Sequence, residues 1–201
     1  MTGVQTCALP ISGDALVVGA PGSMTILNAV DEPATASSDY AGVTVYNNGV
    51  TDGVIISTRA GYLHYNPDIS DITPTWTTAG PFNDSDGDPY SLSAPTVFNN
   101  GILLVGTTSF PLDTTLPSYD GYLEFDISGG FTAGLTPEAD HSLISSAVDF
   151  DSSLTTRSVS SMPLIDLTGG DFKLFACTDS YGLWSNTYTA ATTSWGLWKR
   201  E

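Results

Sequence analysis

Residues 96–106 read Thr96-Val97-Phe98-Asn99-Asn100-Gly101-Ile102-Leu103-Leu104-Val105-Gly106 and contain a complete hairpin signal. One apolar run ends in Asn-Gly and a second run follows at once. Asn-Gly between apolar runs marks a tight reversal, because both residues tolerate positive φ. The same phrase stands at Thr44-Val45-Tyr46-Asn47-Asn48-Gly49, where Tyr46 replaces Phe98 and all else is identical. A looser third instance is Met162-Pro163-Leu164-Ile165-Asp166, followed by Gly169-Gly170. A hairpin that recurs nearly word for word predicts a repeated all-β unit.

Working outward, the run after the turn also recurs. It reads Ala15-Leu16-Val17-Val18-Gly19 after Gly13-Asp14, and Val54-Ile55-Ile56-Ser57-Thr58 after Asp52-Gly53. Ile102-Leu103-Leu104-Val105-Gly106 is the third copy, and Phe172-Lys173-Leu174-Phe175-Ala176 after Gly170-Asp171 is the fourth. Short, continuous apolar runs bounded by turn residues predict strands buried on both faces. Val17, Ile55, Leu103 and Leu174 are expected to be almost fully buried there. A second element opens on glycine: Gly61-Tyr62-Leu63-His64-Tyr65-Asn66, Gly121-Tyr122-Leu123-Glu124-Phe125-Asp126, and more loosely Gly182-Leu183-Trp184-Ser185-Asn186. Its first copy, Gly22-Ser23-Met24-Thr25-Ile26-Leu27-Asn28, is degenerate. Alternating aromatics suit a pleated strand, and a closing Asn or Asp suits a turn.

Repeats of about 40–50 residues with three or four strands each predict the blades of a β-propeller. The units fall at about 13–51, 52–99, 100–169 and 170–201, the third lengthened by an insertion at 109–120. No stretch sustains a 3.6-residue apolar period. Thr136-Pro137-Glu138-Ala139-Asp140, running on to Leu143 and Ile144, fits either a capped helix start or a strand.

These residues carry a family resemblance. Tyr65-Asn66-Pro67 followed by Thr75-Trp76, and Trp184 to Trp195 with Gly169-Gly170 upstream, resemble kelch-type and related propeller repeats. The resemblance spans most of residues 13–201 and implies a propeller scaffold with a binding role. The glycine doublet occurs once, and two units lack the tryptophan. The phrase 96–101 and the Ser/Thr/Gly-rich, lysine-poor composition are similar, more weakly, to propeller-like tail proteins of bacteriophages.

Residues 1–12 resemble the translation of a sequencing-library adapter joined to a metagenomic reading frame. They lack a basic leader, and Pro10 interrupts their apolar stretch, which sets them apart from a signal peptide. The resemblance implies that these residues are not native and contribute no buried contacts that the repeats need. Residues 13–201 are then the C-terminal fragment of an incomplete propeller, an open arc of three to four blades. With Cys7 set aside, Cys177 stands alone and no intrachain disulfide framework is expected.

Charge narrows the function classes. Five Lys and Arg against 22 Asp and Glu give −17, which excludes a protein that works by neutralising phosphates and hence a nucleic-acid partner. A hydrophobic fraction of 41% with only 13% charged residues is not that of a disordered acidic tail. No apolar run reaches the roughly 20 residues that span a bilayer.

Three groups of residues carry chemistry. In Asn83-Asp84-Ser85-Asp86-Gly87-Asp88, the carboxylates of Asp84, Asp86 and Asp88 alternate around a glycine and can converge on Ca2+, a hard cation that takes oxygen ligands. Pro89 follows where such loops have glycine, and no acid closes the loop downstream, so a solvated loop without cofactor is the competing reading. Arg59, His64 and Trp76 are candidates for a ligand-binding face. Arg59 follows a buried strand, His64 aligns with Glu124 and Ser185 and so reads as solvent-facing or lining one face, and Trp76 closes a unit. Trp76, Trp184, Trp195 and Trp198 fall at unit ends and are expected to pack between neighbouring units, with sugar stacking by one exposed ring as the alternative. His141 reads as a loop residue and Cys177 as a buried, inert thiol.

A propeller glycosidase would need a carboxylate pair, for which Asp120, Glu124, Asp149 and Asp151 are available. A sialidase-like site would need several arginines, and the chain has Arg59, Arg157 and Arg200. The leading expectation is therefore a non-catalytic propeller module with a protein or carbohydrate partner, in an extracellular or virion protein. A carbohydrate-active propeller enzyme is the alternative.

Overall fold

A computed structural model describes residues 9–11, 15–20, 23–26, 40–68, 74–83, 87–98, 101–108, 121–142, 159–178, 182–192, 194–196 and 198–201. All regular structure among them is strand, and no helix is long and apolar enough to cross a membrane. The Asn-Gly signal at 48–49 becomes the connection between β4 (Tyr40–Asn47) and β5 (Asp52–Thr58), closed by the pair Asn47↔Asp52. Two side chains build this turn. Asn47 Oδ1 accepts the Gly49 N–H at 2.7 Å, and Asn48 Oδ1 accepts the N–H groups of Val50 and Thr51 at 2.9 Å. Gly49 takes φ +89°, a conformation that side chains rarely adopt.

Every sheet is antiparallel and runs in chain order. The first holds β1 (Leu9–Ile11), β2 (Ala15–Ala20) and β3 (Ser23–Ile26). The second continues β4 and β5 into β6 (Leu63–Asn66) and β7 (Thr77–Ala79). In the third, β8 (Ser91–Phe98), β9 (Ile102–Thr108), β10 (Gly121–Asp126) and β11 (Ala139–Ser142) follow one another. The fourth is the same meander with its first and last strands each broken in two. Here β12 (Val159–Ser161) and β13 (Leu164–Asp166) both pair with β14 (Phe172–Thr178). On its far side β15 (Gly182–Thr189) carries both β16 (Ser194–Trp195) and β17 (Lys199–Arg200). Pro95 lies in β8, an edge strand, where a missing N–H is tolerated.

The recurring apolar runs are the second strands, β2, β5, β9 and β14. Ile55, Leu103 and Leu174 are buried, as the repeat requires; the side chain of Val17 lies outside the described residues. Each sheet begins one strand before the apolar run that marks the repeat in sequence. The Asn-Gly phrase therefore belongs to the sheet that follows it.

Consecutive sheets pack through their first strands, β1 on β4, β4 on β8, and β8 on β12. Small residues make the close approach possible. A Cβ on Gly42 would strike the Ala94 backbone, and one on Gly106 would strike Ser93 Oγ and the Val159 carbonyl. Hydrogen bonds cross the same seams, from Ser57 Oγ to the Ser93 carbonyl at 2.7 Å and from Thr96 Oγ1 to the Met162 carbonyl at 2.7 Å. One apolar core lies between the second and third sheets, built by Ile55, Leu63, Tyr65, Leu92, Leu103 and Leu123 among others. Another lies between the third and fourth, with Leu104, Tyr122, Leu174, Trp184 and Trp198. Burial of this much apolar area holds the series together.

One open choice is settled and one expectation corrected. The segment at Ala139–Ser142 takes the strand alternative, pairing with β10 from Gly121↔Ser142 to Glu124↔Ala139, and this places His141 in β11 instead of a loop. Of residues 1–12, Leu9–Ile11 pair with β2 in the register Leu9↔Val17, and their side chains lie outside the described residues. A short apolar segment beside an open sheet edge can complete that edge's hydrogen bonds whatever its origin. The insertion at 109–120 and the acids Asp149 and Asp151 lie outside the described residues.

Candidate binding site

A threonine closes the hairpin between second and third strands in three sheets. Thr58 Oγ1 accepts the Tyr62 N–H at 3.1 Å, Thr107 Oγ1 accepts the Gly121 N–H at 3.2 Å, and Thr178 Oγ1 donates to the Gly182 carbonyl at 2.7 Å. These threonines fix the true equivalence between sheets. Thr58 stands opposite Tyr62, whereas Thr107 and Thr178 stand opposite glycines. Counted from the threonine, His64 therefore matches Leu123 and Trp184, not Glu124 and Ser185.

That one-residue offset reverses the face on which His64 is read. It is fully buried, on the side of the second sheet that carries Val54 and Ile56 and is turned away from the third. Its Nδ1 shares a hydrogen bond of 2.9 Å with Thr78 Oγ1, and its ring stacks on Tyr62 at 6.1 Å. Nε2 is buried without a hydrogen-bond partner among the described residues. Burial disfavours the charged ring and pushes its pKa down to about 4, so the imidazole is neutral at physiological pH. The solvent-facing reading of His64 is thus replaced by a core position.

Trp76 lies on the same face as His64, half-buried against Val54 and Ile56. Trp184 and Trp198 are buried between the third and fourth sheets, where Trp198 meets Tyr122 edge-on at 5.8 Å, and Trp195 is half-buried beside Phe98. Cys177 is half-buried and free, a more open thiol than its apolar strand suggests. Glu124 is half-buried, while Asp120 lies outside the described residues.

Arg59 is exposed in the β5–β6 turn. The base of the acidic loop is built directly against that turn. The Phe82 N–H donates to the Gly61 carbonyl at 2.9 Å, the Tyr90 N–H donates to the Phe82 carbonyl at 2.9 Å, and Asn83 bridges Pro89. Gly61 has φ +86°, and a Cβ there would lie 3.2 Å from Phe82 O, Pro89 Cβ and Tyr90 O. The fold thus sets the described base of this loop, Phe82, Pro89 and Tyr90, against the turn that carries Arg59. Asp88 is exposed, and Asp84 and Asp86 lie outside the described residues. Among the described residues no three His, Cys, Asp or Glu side chains gather as metal ligands would.

An open groove of about 370 Å³ runs between residues 80–83 and 133–137, lined by Gly80, Phe82, Asn83, Leu135 and Pro137 among others. Arg59, His64 and Trp76 do not line it. Sequence reasoning missed the threonine closures, although a Thr at the end of the apolar run and a glycine opening the next strand were visible in the third and fourth units. It also missed a cluster on the fourth sheet, where Glu201 accepts hydrogen bonds from Lys173 Nζ at 2.8 Å and from the Ser185 hydroxyl. The Lys173 ammonium and that hydroxyl hold the Glu201 carboxyl below the usual range. No protein-family model matches the chain, and no curated protein matches it.

Proposed function

We propose that this chain is a non-catalytic β-propeller module for binding or structural assembly, its sheets serving as successive blades. The contact of each sheet's first strand with that of the next carries the reading. Such a row of first strands is what blades require when their inner strands surround a common axis. The repeated threonine-closed hairpins and the serial apolar cores support it further. In this arrangement the partner-binding face is the end that carries Arg59 and the acidic loop, with a protein or carbohydrate as partner. An exposed cation on a turn that abuts the base of an acidic segment suits hydrogen-bonding and charge-paired contacts at an interface rim. The same loop holds Asp84, Asp86 and Asp88 as the candidate Ca2+ ligands. A kelch-like relationship and an extracellular or virion setting belong to this proposal, as does the strongly acidic, lysine-poor surface.

The decisive experiment couples binding to turnover. The chain and its Arg59→Ala variant are tested on immobilised glycans and on candidate protein partners, while reducing-sugar release is followed on the same glycans. Retained ligand without sugar release, and weakened retention by Arg59→Ala, is the expected result. Sugar release would replace the binding reading with the carbohydrate-active one. Small-angle scattering tests the scaffold separately, because stacked sheets without a common axis give a different profile from an arc of blades.

A further inference from the structure

The threonine register shows that the second and third sheets present the same slots to their successors. Three residues before the threonine stand Ile55, Leu104 and Phe175, and across the hairpin stand Leu63, Tyr122 and Leu183. In the second sheet Ile55 and Leu63 are fully buried in the core shared with the third. In the third sheet Leu104 and Tyr122 are buried in the core shared with the fourth. The fourth sheet holds the same slots open. Leu183 is 39% exposed there, Ile165 on the neighbouring strand is 49% exposed, and Phe175 is half-buried beneath the Lys173 ammonium at 5.0 Å. Cys177 sits where Ser57 and Gly106 meet the following sheet.

We infer that this face, formed by Ile165, Phe175, Cys177 and Leu183, docks a second copy of the chain, which seats its first sheet there as the next member of the series. Two observations select that occupant. The first is continuity, because the equivalent faces of two preceding sheets are covered by a sheet of this same chain. The second is charge. Three of the five cations, Lys173, Lys199 and Arg200, belong to the fourth sheet and, among the described residues there, balance Asp166, Asp171 and Glu201. The rest of the chain holds almost all of the −17, so two copies meet with least repulsion where one of them offers this nearly neutral sheet. The contact is heterologous, joining the end of one series to the beginning of another.

The inference rests on the register between sheets and holds whether or not the Arg59 end binds a ligand. Sedimentation equilibrium over a wide concentration range tests it. The wild-type chain should self-associate, more tightly at high salt, which screens the net charge. Leu183→Glu should weaken association about tenfold or more, while Val50→Glu, at an 89% exposed hairpin position, should leave it unchanged. Tagged Leu183→Glu should still bind wild type, whose open face remains intact to receive the variant's first sheet. A second measurement covers a variant that fails to fold. In the Cys7→Ser chain, the reaction of the Cys177 thiol with a disulfide reagent should slow as protein concentration rises. A wild type that stays monomeric would overturn the inference. So would a folded Leu183→Glu chain that associates like wild type, loss of the mixed pair, or a thiol rate independent of concentration.

Discussion

His64 Nδ1 lies 2.9 Å from the Thr78 hydroxyl across the β6–β7 pair, in the slot that Leu123 fills one sheet further on. A hydrocarbon side chain satisfies that slot by packing alone. A histidine must enter it neutral, because a buried imidazolium costs more than one hydrogen bond to a hydroxyl returns.

The pH dependence of stability follows from this position. The folded pKa of about 4 lies below the ordinary 6.5, so between these values the unfolded chain binds the proton more readily. Stability from the neutral ring is therefore complete above about pH 6.5 and is lost as pH falls toward 4. The loss should amount to roughly 2–4 kcal/mol. Urea denaturation of wild type and His64→Leu at pH 7 and pH 5 checks this. The variant should have the flatter dependence and be relatively more stable at pH 5, and equal slopes would refute the assignment.

β5 and β9 were legible because a strand buried on both faces is written as a continuous apolar run, and β14 carries the same run although only its Leu174 and Ala176 side is buried. Ile55, Leu103 and Leu174 need no tertiary information to be placed inside. What could not be read was the phase of the third strands. Gly61 precedes its strand in a tight turn, whereas Gly121 and Gly182 are the first residues of theirs. Aligning the glycines therefore shifts His64 by one position, and in a pleated strand one position is the opposite face. The Asn-Gly turn at 48–49 was legible for the converse reason, since its geometry depends on its own side chains. The breaks that divide the outer strands of the fourth sheet, near Pro163 and Gly196, carry no periodic signal. Of the candidate site, the sequence supplied the residues Arg59 and Asp88 but not the contact of their two segments, which arises from the hydrogen bond of the Phe82 N–H to the Gly61 carbonyl.

Truncation of the second strands should be costly in each sheet. Ile55→Ala, Leu103→Ala and Leu174→Ala each remove buried methyl groups and leave a cavity, at about 2–4 kcal/mol apiece. Chemical denaturation should show the loss in the midpoint. Ile165→Ala, at a surface position, should change stability by about 0.5 kcal/mol or less.

The threonine closures should contribute as hydrogen bonds and not as packing. Thr107→Val keeps the shape of the side chain and removes the donor and acceptor that serve Gly121. The expected cost is about 1–3 kcal/mol, because the buried Gly121 N–H loses its hydroxyl partner. Thr107→Ser, which retains the hydroxyl, should recover most of it, and a valine variant as stable as wild type would remove the assigned role.

Calcium provides a direct test of the acidic loop. Pro89 stands at the loop's closure and bridges Asn83, while Asp88 is exposed, so the solvated reading predicts no change in Tm with millimolar calcium. An ion held by Asp84, Asp86 and Asp88 would bind the folded chain alone and raise Tm with concentration. A calcium-dependent rise abolished by Asp86→Asn would establish the ion site in place of the solvated loop.

Gly106 sets the distance between the third and fourth sheets. A Cβ added there meets Ser93 Oγ and the Val159 carbonyl, with Val159 Cγ1 at 2.9 Å, so relief would require a backbone shift. Gly106→Ala should therefore separate β9 from β12 and loosen the core around Leu104, Leu174 and Trp184. Overpacking of this kind costs about 1–3 kcal/mol. Gly134→Ala is the matched control, since its Cβ would have nothing within 4 Å. Tryptophan fluorescence reports the affected core directly, because Trp184 and Trp198 lie in it. Gly106→Ala should lower Tm and red-shift the emission, whereas Gly134→Ala should do neither. If Gly106→Ala leaves both readings at their wild-type values, close contact of the third and fourth sheets at this seam is excluded, and with it the spacing on which the row of first strands depends.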